Sequence, residues 1–368
     1  MGVAVRAPLR DRFPRMPDDI AAPARWGKRN RRRLLGGGFA VAVIAAVFVF
    51  VLPRIADYRE VWEVIKGLSW QDGLLLLAAT VLNLATFPPA WMVALPGLRF
   101  RQAFAMTQAS TALSIVSPAG AAVGMAGSYS MLRSWGFPPG PVGLAVALTG
   151  IWNQFASLTF PIVALALLTA VDEDHPALRT AALAGVVALV VVIGAFALAL
   201  SSGRRANRIG ELAARLVSRA KRVVRRGPVT WSGESLDRFR VRALDLLRRR
   251  WHLLTGATLI GHLTVFVLLL VCVRAVGVSA DEVSVVEAFA AWALVRILGT
   301  LPLTPAGLGI VELGLTGALV AFGASNADAV AATLLYRALA VLPTLALGLL
   351  AAATWRSHHP GERLEPSE

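Results

Sequence analysis

Several things are scarce in this 368-residue chain, and each scarcity removes a class of function. There is one cysteine, Cys272, inside an apolar run, so a disulfide framework or a thiolate metal centre is excluded. The five histidines show no HExxH or HxH spacing, and no GxxxxGK[ST] segment exists to cradle a nucleotide phosphate. Metal and cofactor are therefore both expected to be none. Charged residues make up only 16 % of the chain, acids number 22, and 56 % of residues are apolar. That apolar share exceeds the roughly 45–50 % of a soluble domain.

The net charge of +15 is concentrated in two places. Residues 1–33 carry ten Arg/Lys and three Asp, and residues 203–250 carry fifteen Arg/Lys and four acids. The remainder is nearly neutral. Nucleic acid is not an expected partner, because neither basic stretch is interleaved with stacking aromatics or set in a nucleic-acid module. Positive flanks of membrane helices explain the same pattern.

The fold expected is an all-α polytopic membrane protein with about six full spans and two Pro/Gly-broken hairpins. Apolar runs near the ~20 residues needed to cross a bilayer fall at 34–52, 70–95, 139–170, 177–201, 252–275 and 328–354. Arg31–Arg33 precede the first run in the manner of an export signal, but its length reads as an uncleaved helix. Two stretches, 102–135 and 284–323, are interrupted near their middles by Ser117-Pro118-Ala119-Gly120 and by Thr304-Pro305-Ala306-Gly307-Leu308-Gly309. Pro118, Gly120 and Pro305 mark the breaks, since Pro removes a donor and Gly permits unusual φ where backbone faces protein or water.

Lysine and arginine asymmetry places the N-terminal tail and the 203–250 segment in the cytoplasm, with Asp172–Asp174 and Asp281–Glu282 outside. Both termini are then cytoplasmic and the protein is multi-pass in the cytoplasmic membrane. The hairpins enter from opposite sides, and their motifs align at a constant offset of 187 residues. This is the pattern of an inverted repeat, which in transporters places a site near the midplane. The expected organisation is a basic disordered tail (1–33), a first membrane half (34–202), a basic connector (203–250), a second half (251–354) and a cytoplasmic tail (355–368). The connector reads as two amphipathic helices, about 205–226 and 235–250, lying on the leaflet or simply solvated.

Ionisable groups inside a membrane are costly and mark function. Here they are Arg296, Glu312 and Arg337, with His262 a weaker fourth read as a satisfied or interfacial residue. At 1.5 Å per helical residue, Arg296 and Glu312 lie about 11–12 Å from the hairpin tip on opposite arms, and Arg337 about 14 Å deep. One Glu between two Arg leaves a surplus cation suited to a lipid phosphate, aided by the half-helix that opens after Thr304, Gly307 and Gly309. The competing reading is a buried Glu–Arg lock with the second Arg reaching for the interface. Glu312 is also a candidate proton carrier. Arg133, at the cytoplasmic end of the first hairpin, is either a headgroup entry residue or an ordinary basic flank. Asn83, Gln108, Asn153 and Gln154 are expected to bond between helices or to line a cavity.

The segment Leu301–Glu312 resembles the transmembrane, flippase-like domain of lysylphosphatidylglycerol synthases, also called uncharacterised protein family 0104. The resemblance rests on Pro305, Gly307, Gly309, Glu312, Gly323 and Arg337, with Ala306 replacing a commoner Gly. It implies a domain that moves an aminoacylated phospholipid or a related polyprenyl-phosphate lipid, with membrane lipids as its partners. About fourteen residues follow the last span, so no synthase domain and no enzyme activity are expected. Two other readings stay open: a membrane glycosyl- or lipid-transferase using the acidic loops, and a non-transporting partner of a cell-envelope biosynthetic enzyme.

Overall fold

A computed structural model describes residues 58–117, 120–171, 176–201, 233–300, 307 and 309–354. All regular structure among these residues is helical: α1 (Tyr58–Gly67), α2 (Trp70–Thr86), α3 (Pro88–Ala94), α4 (Phe100–Val116), α5 (Gly120–Ser134), α6 (Pro139–Val171), α7 (Pro176–Ser201), α8 (Gly233–Ala275), α9 (Val285–Thr300), α10 (Ile310–Phe322) and α11 (Asn326–Thr354). Five segments are long and apolar enough to cross a membrane: Trp70–Ala94, Pro139–Ala170, Thr180–Leu198, Phe239–Ala275 and Asn326–Thr354. They coincide with five of the six expected spans. The sixth, 34–52, lies outside the described residues, as do the tails and residues 202–232. Helix α7 leaves Leu183, Val187, Val190 and Val191 each 60–63 % exposed, a face that only a hydrocarbon surround accommodates.

Two apolar clusters sit at opposite ends of the helices that run between them, α2–α3, α6 and α8, and give those helices their directions. One gathers Ala94, Leu95, Ala103, Met131, Val142, Leu148 and Leu254, near the arginines of α4, α5 and α8. The other gathers Leu76, Phe160, Leu268, Val273, Ala288, Trp292, Leu315 and Ala329. Thus α2–α3 runs from the second cluster to the first, while α6 and α8 run the other way. The hairpins do neither. Both ends of α4–α5, at Ala103 and Leu132, lie in the first cluster, and both ends of α9–α10, at Ala288 and Leu319, lie in the second. Each hairpin enters and leaves on one side, from opposite sides of the bundle. Its arms hold 17, 15, 16 and 13 residues, short of the ~20 a crossing requires.

The packing repeats the inversion. The leading arm α4 lies on α11, the span after the second hairpin, while α9 lies on α6, the span after the first. The pairs α5–α6 and α10–α11 correspond, as do α3–α4 and α8–α9. Close approach is bought with glycine: a Cβ on Gly348 would come within 2.7 Å of the Gln108 carbonyl oxygen, and one on Gly124 within 2.8 Å of the Ser110 carbonyl oxygen.

Two details differ from the sequence reading. The span 70–95 is interrupted at Phe87, where Pro88 and Pro89 begin a new helix. The expected helix 235–250 does not end before the span at 252. It is the first part of one 43-residue helix, α8, and Phe239, Leu246 and Leu247 pack on the first cluster. Its apolar face covers protein, so there is no break at 250. The expected helix 205–226 lies outside the described residues.

Candidate functional site

Glu312 is the third residue of α10, and there it does two things. Its Oε2 accepts the Gly309 N–H at 2.6 Å, which caps the helix, and its Oε1 accepts from Arg337 Nε at 2.5 Å. Only 1 % of Glu312 is exposed. The cap needs the chain to turn sharply just before the helix. Gly307 and Gly309 supply that turn at φ of 67° and 85°, a region that favours glycine. A Cβ on Gly307 would meet the Gly299 Cα at 3.2 Å, so this turn also lets the second break press onto α9. Thr304 and Pro305 lie outside the described residues.

Arg296 does not join that pair. Its Nη2 donates to His262 Nδ1 at 2.9 Å, and His262 Nε2 lies 3.1 Å from Asn153 Oδ1. A guanidinium has donors only, so Nδ1 must be the acceptor and Nε2–H must donate to Asn153. The chain Asn153–His262–Arg296 thereby fixes a neutral imidazole and ties α6, α8 and α9 together. Phe87 and Phe160 meet the imidazole edge-on, at 5.6 and 6.0 Å between centroids. The guanidinium lies 4.8 Å from the Trp292 ring centroid, in a cation–π contact. Its Nε is buried without a partner, and no carboxylate lies within salt-bridge reach of it among the described residues.

Arg296 and Arg337 line one cavity of about 260 Å³, together with Ser157, Trp292, Gly299 and Tyr336. Asn153 and His262 line a second, of about 790 Å³, between α4–α5, α6 and α8. The imidazole is thus the seam between a charged cavity and an uncharged one. A third cavity, about 530 Å³ and almost wholly apolar, lies between α6, α7 and α8 and shares Phe155 and Phe196 with the second.

The remaining sequence candidates fall elsewhere. Arg133 is exposed and donates to the Phe137 carbonyl, closing the turn after α5. Pro118 lies outside the described residues, while Gly120 opens α5, where a Cβ would meet the Ser114 carbonyl oxygen at 2.6 Å. Of the acidic loops, Asp172–Asp174 lie outside the described residues. Glu282 closes a turn by accepting the Ser279 N–H at 2.7 Å. That bond, with the Ser279 hydroxyl and the Arg274 charge, holds its carboxyl below the usual range. Gln154 lines the second cavity, whereas Asn83 is buried with its Oδ1 unpartnered. His262 is a satisfied histidine, as expected; the sequence missed that its partner is Arg296. Trp292 was missed altogether, and its spacing four residues before Arg296 on one helix was the available signal.

Two opposed hairpins set among five long apolar helices, with the half-buried Arg296 and Arg337 lining one cavity against α6, define a polytopic α-helical membrane protein. The chain belongs to the family described as the lysylphosphatidylglycerol synthase TM region, whose model matches residues 38–348. That membership associates it with lipid handling in a membrane, and it bears out the resemblance read from the segment ending at Glu312. No curated protein matches the chain.

Proposed function

We propose that this protein is a lipid translocase of the cytoplasmic membrane, with its basic end and both termini in the cytoplasm. It moves a lipid bearing an anionic phosphate between the leaflets. The observation that carries the reading is Arg296. A guanidinium held by a neutral histidine and an indole face, lining a cavity and without a carboxylate partner among the described residues, is suited to an anion. The opposed hairpins support the same reading, because inverted halves that rock on one another are how transporters open a site to either leaflet in turn. Glu312, engaged by Arg337 and its own helix start, serves as the lock.

The test is transbilayer movement of fluorescent phospholipids in proteoliposomes, wild type against Arg296→Gln. Movement of anionic lipids that falls by at least about tenfold in the folded variant supports the reading. Equal movement in both overturns Arg296 as the site, and movement of no lipid by the wild type overturns translocation.

A further inference from the structure

The charged cavity has a counterpart that carries no charge. The 187-residue offset that aligns the two hairpin breaks carries Arg296, Glu312 and Arg337 onto Ala109, Met125 and Gly150. Met125 and Gly150 line the second cavity, and no Asp, Glu, Lys or Arg does. In place of charges, that cavity offers hydroxyl and amide groups, among them Thr107, Ser110, Ser114 and Gln154. Thr107, Ser110 and Ser114 each donate to a backbone carbonyl of their own helix. Their O–H protons are thereby spent, and what they turn to a ligand is lone pairs. Asn153 Oδ1, already accepting from His262, keeps a second lone pair on the same wall. Thr111 and Ser128 line it too and have no hydrogen-bond partner among the described residues.

We infer that the two cavities divide one headgroup between them. Arg296 takes the phosphate, and the hydroxyl-lined cavity takes an uncharged polyhydroxy alcohol esterified to it, such as glycerol, inositol or a sugar. This deepens the translocase reading and rests on it for the lipid. Hydroxyl groups both donate and accept, and so match a wall that mixes the accepting oxygens of Thr107, Ser110 and Ser114 with the donating amides of Asn153 and Gln154. A cationic aminoacyl headgroup has no counter-charge here: neither cavity is lined by an acid, and both oxygens of Glu312 are engaged. Arg296 and Arg337 would repel it as well. The apolar third cavity, which borders the second at Phe155 and Phe196, has the character that an acyl chain requires. That favours a membrane lipid over a soluble sugar phosphate as the source of the group.

The experiment is calorimetric binding to the full chain in detergent. The probes are short-chain phosphatidylglycerol, phosphatidylinositol, phosphatidic acid and the lysyl ester of phosphatidylglycerol, with glycerol 3-phosphate as the chainless control. The polyol lipids are expected to bind at least about tenfold tighter than the lysyl ester. Thr111→Val with Ser128→Ala is expected to weaken the polyol lipids by about fivefold or more, leaving phosphatidic acid unchanged. Ser128→Ala alone, the milder change, should show part of the same selective loss.

Lysyl ester binding as tight as phosphatidylglycerol overturns the assignment. So does a variant that loses phosphatidic acid equally. Glycerol 3-phosphate binding as tightly as the lipid overturns the membrane source. Polyol preference in binding with no movement in vesicles supports this inference and overturns the translocase reading instead.

Discussion

Glu312 and Arg337 are joined through Oε1 and Nε at 2.5 Å, across α10 and α11, with the carboxylate buried and its other oxygen capping its own helix. A pair this deep is maintained less by net gain than by the cost of breaking it. Removing one partner strands the other charge, at about 3–5 kcal/mol. Arg337→Ala and Glu312→Gln are each expected to lower the thermal midpoint of the purified protein by several degrees. Glu312→Gln combined with Arg337→Met should recover part of the loss, because no lone charge is left. Additive losses in the double variant would show that the two residues stabilise independently.

Arg296 should behave in the opposite way. Its charge has no carboxylate among the described residues, so the cost of desolvating it offsets what the His262 bond and the Trp292 face contribute. Arg296→Gln is expected to leave the thermal midpoint unchanged or raise it while abolishing stabilisation by an anionic lipid. Ligand-induced shifts in thermal unfolding read both effects at once. A variant that unfolds early and still responds to lipid would make Arg296 structural.

His262 is the residue whose loss should couple the two cavities. Replacing it with Leu leaves Arg296 Nη2 and Asn153 Oδ1 without their shared partner, each at about 1–3 kcal/mol. His262→Gln offers both an acceptor and a donor from one side chain and is expected to restore part of that stability. Lipid affinity is the more telling readout, because an untethered guanidinium loses its position over Trp292. Affinity that falls in His262→Leu and returns in His262→Gln would assign His262 a positioning role. Affinity unchanged in both would leave it a packing residue.

Much of this architecture was legible because a bilayer imposes a length on every span. The runs at 70–95, 139–170, 177–201 and 328–354 needed only counting, and the Pro-Gly breaks announced the hairpins. Depth arithmetic also brought Glu312 and Arg337 to one level. What it could not give was which arginine pairs with Glu312. That depends on helix rotation, and the apolar residues of these helices are spread around the axis, so no stripe marks the inward face. The Arg296–His262 bond was hidden for the same reason, joining residues 34 apart on different helices. Helix α8 was misread at residue 250 because a change from charged to apolar composition looks like a boundary. The backbone ignores composition where no Gly, Pro or cap interrupts it.

Interleaving of the halves gives the last prediction. Gly348 of α11 faces the Gln108 carbonyl and Ala112 of α4, so the final span is fitted onto the hairpin of the other half. A Cβ at position 348 would lie 2.7 Å from that carbonyl oxygen, a distance that forces the two helices apart. Gly348→Val is therefore expected to destabilise by about 1–3 kcal/mol, the usual cost of overpacking. Gly256→Ala on α8 is the control, since nothing lies within 4 Å of the Cβ it would add, and alanine favours the helix by about 1 kcal/mol. Thermal midpoints of the two purified variants decide the matter: lower for Gly348→Val, equal or higher for Gly256→Ala. A Gly348→Val protein as stable as wild type would mean that α4 and α11 slide freely and that the reciprocal packing of the halves does not hold the bundle.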